Sequence, residues 1–305
     1  MTDNYYFLAI LSVLGGLSFA AMTYFYEKGR LWNVSPPIIA LGVGITGTLV
    51  YGVKYLFDSC EFSFMAMSLG FTAGLAQGVA IWLIKTARRR GPFTPISASL
   101  NLAFIPPVIY SIFFLKENVN ILQAGGLLFS LACVVAGSIA AGGETNTEKS
   151  LAQSTCMRLK VEYFLLLVVM VICVGVSGLA IKYMSVKKMG DSDVFSVYRY
   201  LYFLSLYIGL FLPVVPALFS TGTKPRFHKA IILGVGSGIA SCLGMFLTGF
   251  AARLPAGIGF ATVCIAAIAG GGVVCAYFFG EQRNIAWYMN LIFAIVAVIC
   301  FNIKI

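Results

Sequence analysis

The sequence predicts an all-α polytopic membrane protein whose ten transmembrane helices form two inverted five-helix repeats. Three observations predict it. The 305 residues are 60% hydrophobic and only 10% charged, with a mean hydropathy of +0.93, whereas about a quarter of the residues in a soluble globular domain are charged. Ten apolar runs each reach the roughly 20 residues that a spanning helix needs. One polar stretch divides those runs five and five. So few Asp, Glu, Lys and Arg side chains do not make the polar skin of a soluble chain this size. The net charge of +10 therefore reads as loop residues that face anionic lipid and set orientation, with no nucleic-acid partner.

The runs fall at about 5–26, 36–57, 63–85, 93–115, 120–141, 162–184, 194–219, 230–252, 256–279 and 285–303. No basic segment precedes Tyr5, so a cleaved signal peptide is not expected and the first run belongs to the mature chain. Most connections are short. The exception, Gly142 to Lys160, is polar and without apolar periodicity. The chain accordingly divides into a first half (1–141), a polar linker (142–161) and a second half (162–305).

The halves resemble each other. At an offset of 164, Leu69 and Gly70 meet Leu233 and Gly234, Gly74 meets Gly238, and Arg89 meets Arg253. The same register pairs Glu117 with Glu281 and Asn120 with Asn284. Apolar helices share Leu, Ala and Gly by chance, so the polar matches carry the weight. Five is odd, so a second copy of five helices enters the membrane from the opposite side. Inverted repeats of this kind give secondary transporters two exchangeable conformations around a midplane site.

Catalytic chemistry is thin. No zinc-protease, nucleophile-elbow or phosphate-loop motif occurs, and the single histidine, His228, lies among Lys224, Arg226 and Lys229 before the eighth run. The eleven acids (Asp3, Glu27, Asp58, Glu61, Glu117, Glu144, Glu148, Glu162, Asp191, Asp193 and Glu281) fall at helix ends or in loops. An intramembrane enzyme keeps such groups at depth, and proton-driven pumps commonly do the same. The expectation is therefore no enzyme, no cofactor, no metal and no midplane proton carrier. Cys133, Cys173, Cys242, Cys264, Cys275 and Cys300 lie in apolar stretches and Cys60 and Cys156 in loops, which reads as small buried hydrophobes and not as a disulfide framework.

Polar residues inside the runs mark a candidate substrate cavity. Arg199 stands about two turns into the seventh run among Tyr198, Tyr200 and Tyr202. An arginine at that depth must be paired, hydrated or snorkelled to the interface, so it reads either as an anion contact or as a bracing residue. Lys182, near the end of the sixth run, presents the same choice. With Tyr198, Arg199 and Tyr202, the candidate cavity takes Gln77 and Trp82 from the third run and Asn101 and Tyr110 from the fourth. Ser177, Ser241 and Thr262 complete it from the sixth, eighth and ninth runs. Each uncharged member has an alternative reading as an interhelical hydrogen bond. Glycines at 70, 74 and 78, at 234, 236 and 238, and at 270 to 272 permit close helix contacts, and Pro106, Pro107, Pro213 and Pro216 permit kinks.

The end of each half carries a motif: Phe113-Phe-Leu-Lys-Glu117 followed by Asn120 and Gly125, and Phe278-Phe-Gly-Glu281 followed by Asn284. In these motifs and in its two sets of five helices, the chain resembles the drug/metabolite transporter superfamily, EamA type. The resemblance covers essentially the whole chain. Arg199 matches an arginine that the family tends to place early in helix 7, while Gly42 stands near its counterpart in helix 2, a departure from the pattern. Membership implies a small-molecule substrate, such as an amino acid, sugar, nucleotide derivative or amine, crossing between the repeats, in the inner or cell membrane. Arg199 favours a zwitterionic or anionic solute. A lipid or lipid-linked substrate on the same scaffold is the alternative, and a homodimer is left open. The family keeps both termini cytoplasmic, yet the loops on the side of the termini hold 7 Lys and Arg against 13 on the other, which the positive-inside rule reads the opposite way.

Overall fold

The computed structural model describes residues 2–58, 61–88, 100, 102–117, 120–142, 153–189, 192–216, 227–280 and 285–302. The α-helices among them are α1 (Thr2–Leu31), α2 (Pro36–Phe57), α3 (Phe64–Arg88), α4 (Ile105–Phe113), α5 (Ile121–Gly142), α6 (Gln153–Val186), α7 (Val194–Val214), α8 (Phe227–Ala251), α9 (Ala256–Phe278) and α10 (Ile285–Asn302). Seven described segments, within α1, α2, α3, α6, α7, α8 and α9, are long and apolar enough to cross a membrane, and shorter apolar stretches occur at Ile121–Ala132 and Trp287–Cys300. Many large apolar side chains stay exposed on the helix flanks, Ile10, Leu49, Ile232 and Ile292 among them. A water-soluble monomer does not leave so much apolar surface uncovered. The protein is a multi-pass integral membrane protein.

Several boundaries differ from the sequence expectation. Helix α6 begins at Gln153, inside the polar stretch, because residues such as Gln153, Met157, Arg158 and Lys160 favour a helix without making an apolar face. Glu162 therefore lies within a helix and not at its end. The described part of the fourth run is a 3-10 turn, Leu102–Phe104, leading into the nine residues of α4. Pro106 and Pro107 sit in the first turn of α4; a missing N–H costs nothing where the first turn leaves its donors unpaired. Pro213 does lie inside α7. His228 is an exposed residue in the first turn of α8. A two-rung antiparallel ladder, β1 (Lys188–Met189) with β2 (Ser192–Asp193), joins α6 to α7, a local exception to the all-α expectation.

Helix direction follows from the contacts. Gly70, Gly74 and Gly78 of α3 meet, in that order, Tyr202, Leu206 and Leu210 of α7, so the two helices run parallel. A Cβ at Gly70 would overlap the Tyr202 carbonyl, and one at Gly74 the Leu206 carbonyl. The same small-residue approach joins α2 to α8: Gly42 lies on Gly234, Thr46 on Gly238, and Tyr51 reaches Cys242, again parallel. Helices α2 and α7 cross antiparallel, Gly44 facing Leu210, Gly47 the Tyr207 ring and Gly52 Leu204. Along α1, Gly16 and Ala20 meet Ala266 and Gly270 of α9 in parallel, while Gly15, Phe19 and Phe25 meet Leu247, Gly244 and Gly236 of α8 antiparallel. Gly175 and Gly178 of α6 meet Pro106 and Pro107 of α4 in parallel, and Met170 of α6 packs on Ile84 and Ala87 near the end of α3. With Val176 and Tyr183 beside Thr72 and Leu69, α6 runs antiparallel to α3. Thus α1, α3, α7 and α9 run one way and α2, α4, α6 and α8 the other. Helices α5 and α10 pack together at one flank, Phe129 on Phe293.

Candidate functional site

The end of the molecule where α6 and α8 finish and α7 and α9 begin carries most of the described charge pairing. Asp193 caps α7: its Oδ1 accepts from the Ser196 amide at 2.6 Å and its Oδ2 from the Ser196 hydroxyl at 2.9 Å. An N-cap carboxylate satisfies a donor that the helix leaves open and meets the positive end of the helix dipole. Arg253, in the turn between α8 and α9, brings Nη2 to 3.2 Å from Asp193 Oδ2 and donates to the Ser196 hydroxyl. On the other side of that turn, Lys182 is only 2% exposed. Its ammonium lies 2.7 Å from Glu117 Oε1, 3.0 Å from the Leu254 carbonyl and 3.5 Å from that of Ala252. Lys182 therefore neither snorkels nor faces a cavity; a carboxylate and two carbonyls take its three donors.

Arg199 stands one turn beyond Ser196 on α7. Its Nη2 donates to the Tyr200 hydroxyl at 3.2 Å, and the guanidinium lies over the Tyr200 ring (4.8 Å to the centroid) and the Phe246 ring (5.7 Å). Its Nε is buried without an acceptor among the described residues. Together with Phe195, Phe250 and Arg253 it lines a narrow cleft between α7 and α8. Deeper in the molecule the helices close on an aromatic cluster. Tyr51 stacks on Tyr207 at 5.7 Å between centroids and leans on Phe203 at 4.8 Å. Tyr51 donates to the Cys242 carbonyl at 2.8 Å, Tyr207 shares a hydrogen bond with Ser241 at 2.9 Å, and Tyr202 donates to the Ser177 carbonyl at 3.3 Å.

The residues singled out in the sequence thus divide. Tyr198, Arg199 and Tyr202 lie along α7, with Tyr198 and Tyr202 buried in the aromatic core. Ser177 and Ser241 are tied to that core through Tyr202 and Tyr207. Tyr110 lines a separate apolar cleft of about 260 Å³ between α3, α4 and α6, with Leu69, Thr72, Val176, Leu179 and Tyr183. Gln77 and Trp82 are half-buried on α3, and Thr262 is fully buried on α9 with no partner for its hydroxyl among the described residues. Asn101 and the motif residues Glu281 and Asn284 lie outside the described residues. Residues missed in the sequence are Tyr51, Tyr207 and Asp193. The available signal for Asp193 was its place just before an apolar run, an N-cap position; partners 191 and 34 residues apart in sequence leave no such local sign.

At the opposite end, where α1 finishes and α2 and α8 begin, Trp32 lies between Lys28 and Lys229, whose ammonium groups sit 5.5 and 4.9 Å from its ring. Val34, Ile39, Ala230 and Leu233 form a small apolar cluster beneath it. Among the described residues, one end thus carries ion pairs and the other cation–π and apolar contacts. Among the described residues no group of three or more His, Cys, Asp or Glu could hold a metal ion.

No family model matches the chain, and no curated protein matches it. Solved structures do: 29 chains match. One, known from its crystal structure, superposes with a TM-score of 0.69 at 13% identity, covering 96% of this chain and 94% of its own. At that identity the likeness is one of fold alone.

Proposed function

We propose that this protein is a secondary transporter, active or facilitative, that moves a small organic metabolite by alternating access. We assign it ten membrane-spanning helices in two inverted five-helix repeats of the drug/metabolite transporter superfamily's EamA type, in the cell or inner membrane. It has no enzymatic role in this reading. One observation carries the proposal: the helix contacts keep their sense when the halves are exchanged, α1 with α6, α2 with α7, α3 with α8, α4 with α9 and α5 with α10. The parallel, glycine-tight pair α3 and α7 then answers α2 and α8. Antiparallel α1 and α8 answer α6 and α3, and parallel α1 and α9 answer α6 and α4. A backbone detail supports the same register: Lys116 and Gly280, 164 residues apart, both adopt left-handed φ values of 52° and 67°.

The exchange is uneven, which supports two conformations. Helix α1 lies closely on α8, with the Phe25 ring against Gly236, whereas the equivalent crevice between α3, α4 and α6 holds about 260 Å³ of space. Inverted repeats that occupy unequal states can exchange them, and the opening then moves to the other side of the membrane. A second reading, translocation of a lipid or lipid-linked substrate, is favoured by the apolar lining of that crevice. Uptake into proteoliposomes separates the two. Saturable, self-exchanging movement of a labelled amino acid, sugar, organic acid or sugar phosphate is expected; movement of a labelled phospholipid with none of these solutes would replace the first reading by the second.

A further inference from the structure

We propose that Arg199 and Arg253 form a site for a carboxylate or phosphate oxyanion in the cleft between α7 and α8, and that Asp193 holds Arg253 until the ligand replaces it. The inference rests on the transport reading and narrows its substrate to an anionic or zwitterionic solute.

Ser196 and Arg199 are three residues apart and share a helix face, about 9 Å from the Asp193 cap at its far member given 1.5 Å per residue. On α8, Phe246, Gly249 and Phe250 repeat at helical spacing, and Arg253 follows one turn later; both faces line the same cleft. Gly249 lets the Phe195 ring lie directly on the α8 backbone, which closes the cleft's inner wall. Two guanidinium groups and one hydroxyl therefore face a cleft otherwise walled by phenyl rings and too narrow here to admit a water molecule, so a ligand enters only as α7 and α8 part.

The donor inventory then selects the ligand. A guanidinium carries five N–H donors and no acceptor. Tyr200 and two aromatic faces engage Arg199, yet its Nε is buried with no acceptor among the described residues. A buried unmet donor on a permanent cation calls for an anion, and a planar fork favours two oxygens of one group over a single lone pair. Neutral sugars and amines do not supply that. Apolar walls exclude water and strengthen the pairing.

Arg253 is poised for exchange. Its side chain is 39% exposed and that of Asp193 20% exposed, and an ion pair as open as this contributes no more than about 1 kcal/mol. Asp193 keeps both Ser196 contacts as the helix cap whether or not Arg253 stays. A ligand oxyanion between Arg199 and Arg253 thus replaces a weak contact and meets a donor now unmet. Arg253 belongs to the turn whose carbonyls Lys182 holds, so ligand capture acts on the same turn that Lys182 ties to α6.

The test uses the full-length protein in phosphatidylcholine nanodiscs, with succinate and inorganic phosphate as probes and thermal stabilisation and calorimetry as readouts. Saturable binding is expected, weakened at least tenfold in Arg199→Gln and in Arg253→Gln. Asp193→Asn, which retains the cap acceptor and removes the competing charge, should tighten binding severalfold, a gain that is read whether or not Arg199→Gln folds. In a parallel arm, stabilisation by phosphatidylglycerol nanodiscs that is lost in Arg199→Gln, with no response to either soluble probe, assigns the same site to a lipid headgroup. No response in either arm, or binding unchanged by all three substitutions, overturns the site. If the probes bind as expected and no anion crosses proteoliposomes, the site stands and the transport reading fails; if neutral solutes cross with Arg199→Gln at full rate, transport stands and the site fails.

Discussion

Lys182 and Glu117 form an ion pair at 2.7 Å that joins the two halves of the chain, with the lysine side chain 3% and the glutamate side chain 23% exposed. The pair holds the α8–α9 turn because the same ammonium binds the Leu254 and Ala252 carbonyls. The difference in exposure makes the two partners unequal. Glu117→Gln leaves a buried ammonium without its counter-ion, and its cost should approach the roughly 3 kcal/mol seen when a buried pair loses one member. Lys182→Met leaves a carboxylate that water can reach, and should cost about 1 kcal/mol. Thermal unfolding in detergent checks the order, and the double variant should be more stable than Glu117→Gln alone. Equal losses in the two single variants would contradict the described burial.

The α3–α7 contact predicts a sharp contrast between glycines. Gly74→Ala drives a methyl into the Leu206 carbonyl, backbone against backbone, whereas a methyl at Gly125 would meet nothing within 4 Å among the described residues. Overpacking of this kind costs about 3 kcal/mol. Folded yield and melting temperature should fall for Gly74→Ala and stay unchanged for Gly125→Ala.

Lys116 has a φ of 52°, a conformation that costs a side-chain-bearing residue about 1–2 kcal/mol. Lys116→Gly relieves that strain at the expense of unfolded-state entropy, so its melting temperature should equal or exceed the parent's. Lys116→Val, β-branched in the same conformation, should lower it by the equivalent of about 2 kcal/mol.

Tyr207 and Ser241 share a hydrogen bond inside the aromatic core. A double-mutant cycle with Tyr207→Phe and Ser241→Ala should give a coupling of about 1 kcal/mol, the net worth of a buried neutral hydrogen bond. A coupling near zero would mean that the two hydroxyls act independently.

The apolar runs made most helices legible in advance: α2 occupies 36–57 as read, and α9 ends one residue short of the expected 279. Apolar length is a local signal, and so is the proline that opens α4 once its neighbours are known. The early start of α6 was not legible, since helix propensity without an apolar face leaves no periodic mark at Gln153. Arg199 could be singled out because a charge inside an apolar run is conspicuous. Its companion Arg253 was visible only as a repeat match to Arg89, and Asp193 only as one acid among several near a helix start. Lys182 could not be paired with Glu117 from spacing, because the contact depends on how α4 and α6 lie together. Ser241 shares a hydrogen bond with Tyr207 of α7, whereas the Ser177 hydroxyl donates to the Val174 carbonyl of its own helix and only its backbone carbonyl accepts from Tyr202.

Exchange between two inverted halves predicts opposite movements at the two ends. Spin labels at Phe64 and Val186 report the α3–α6 crevice at one end, and labels at Leu31 and Ile231 report the α1–α8 contact at the other; all four side chains are exposed. Distances measured by double electron–electron resonance in nanodiscs, with and without a transported solute, should change in opposite senses, one pair lengthening as the other shortens. Two pairs that lengthen together, or that both stay fixed while solute crosses the membrane, would contradict alternating access between the halves.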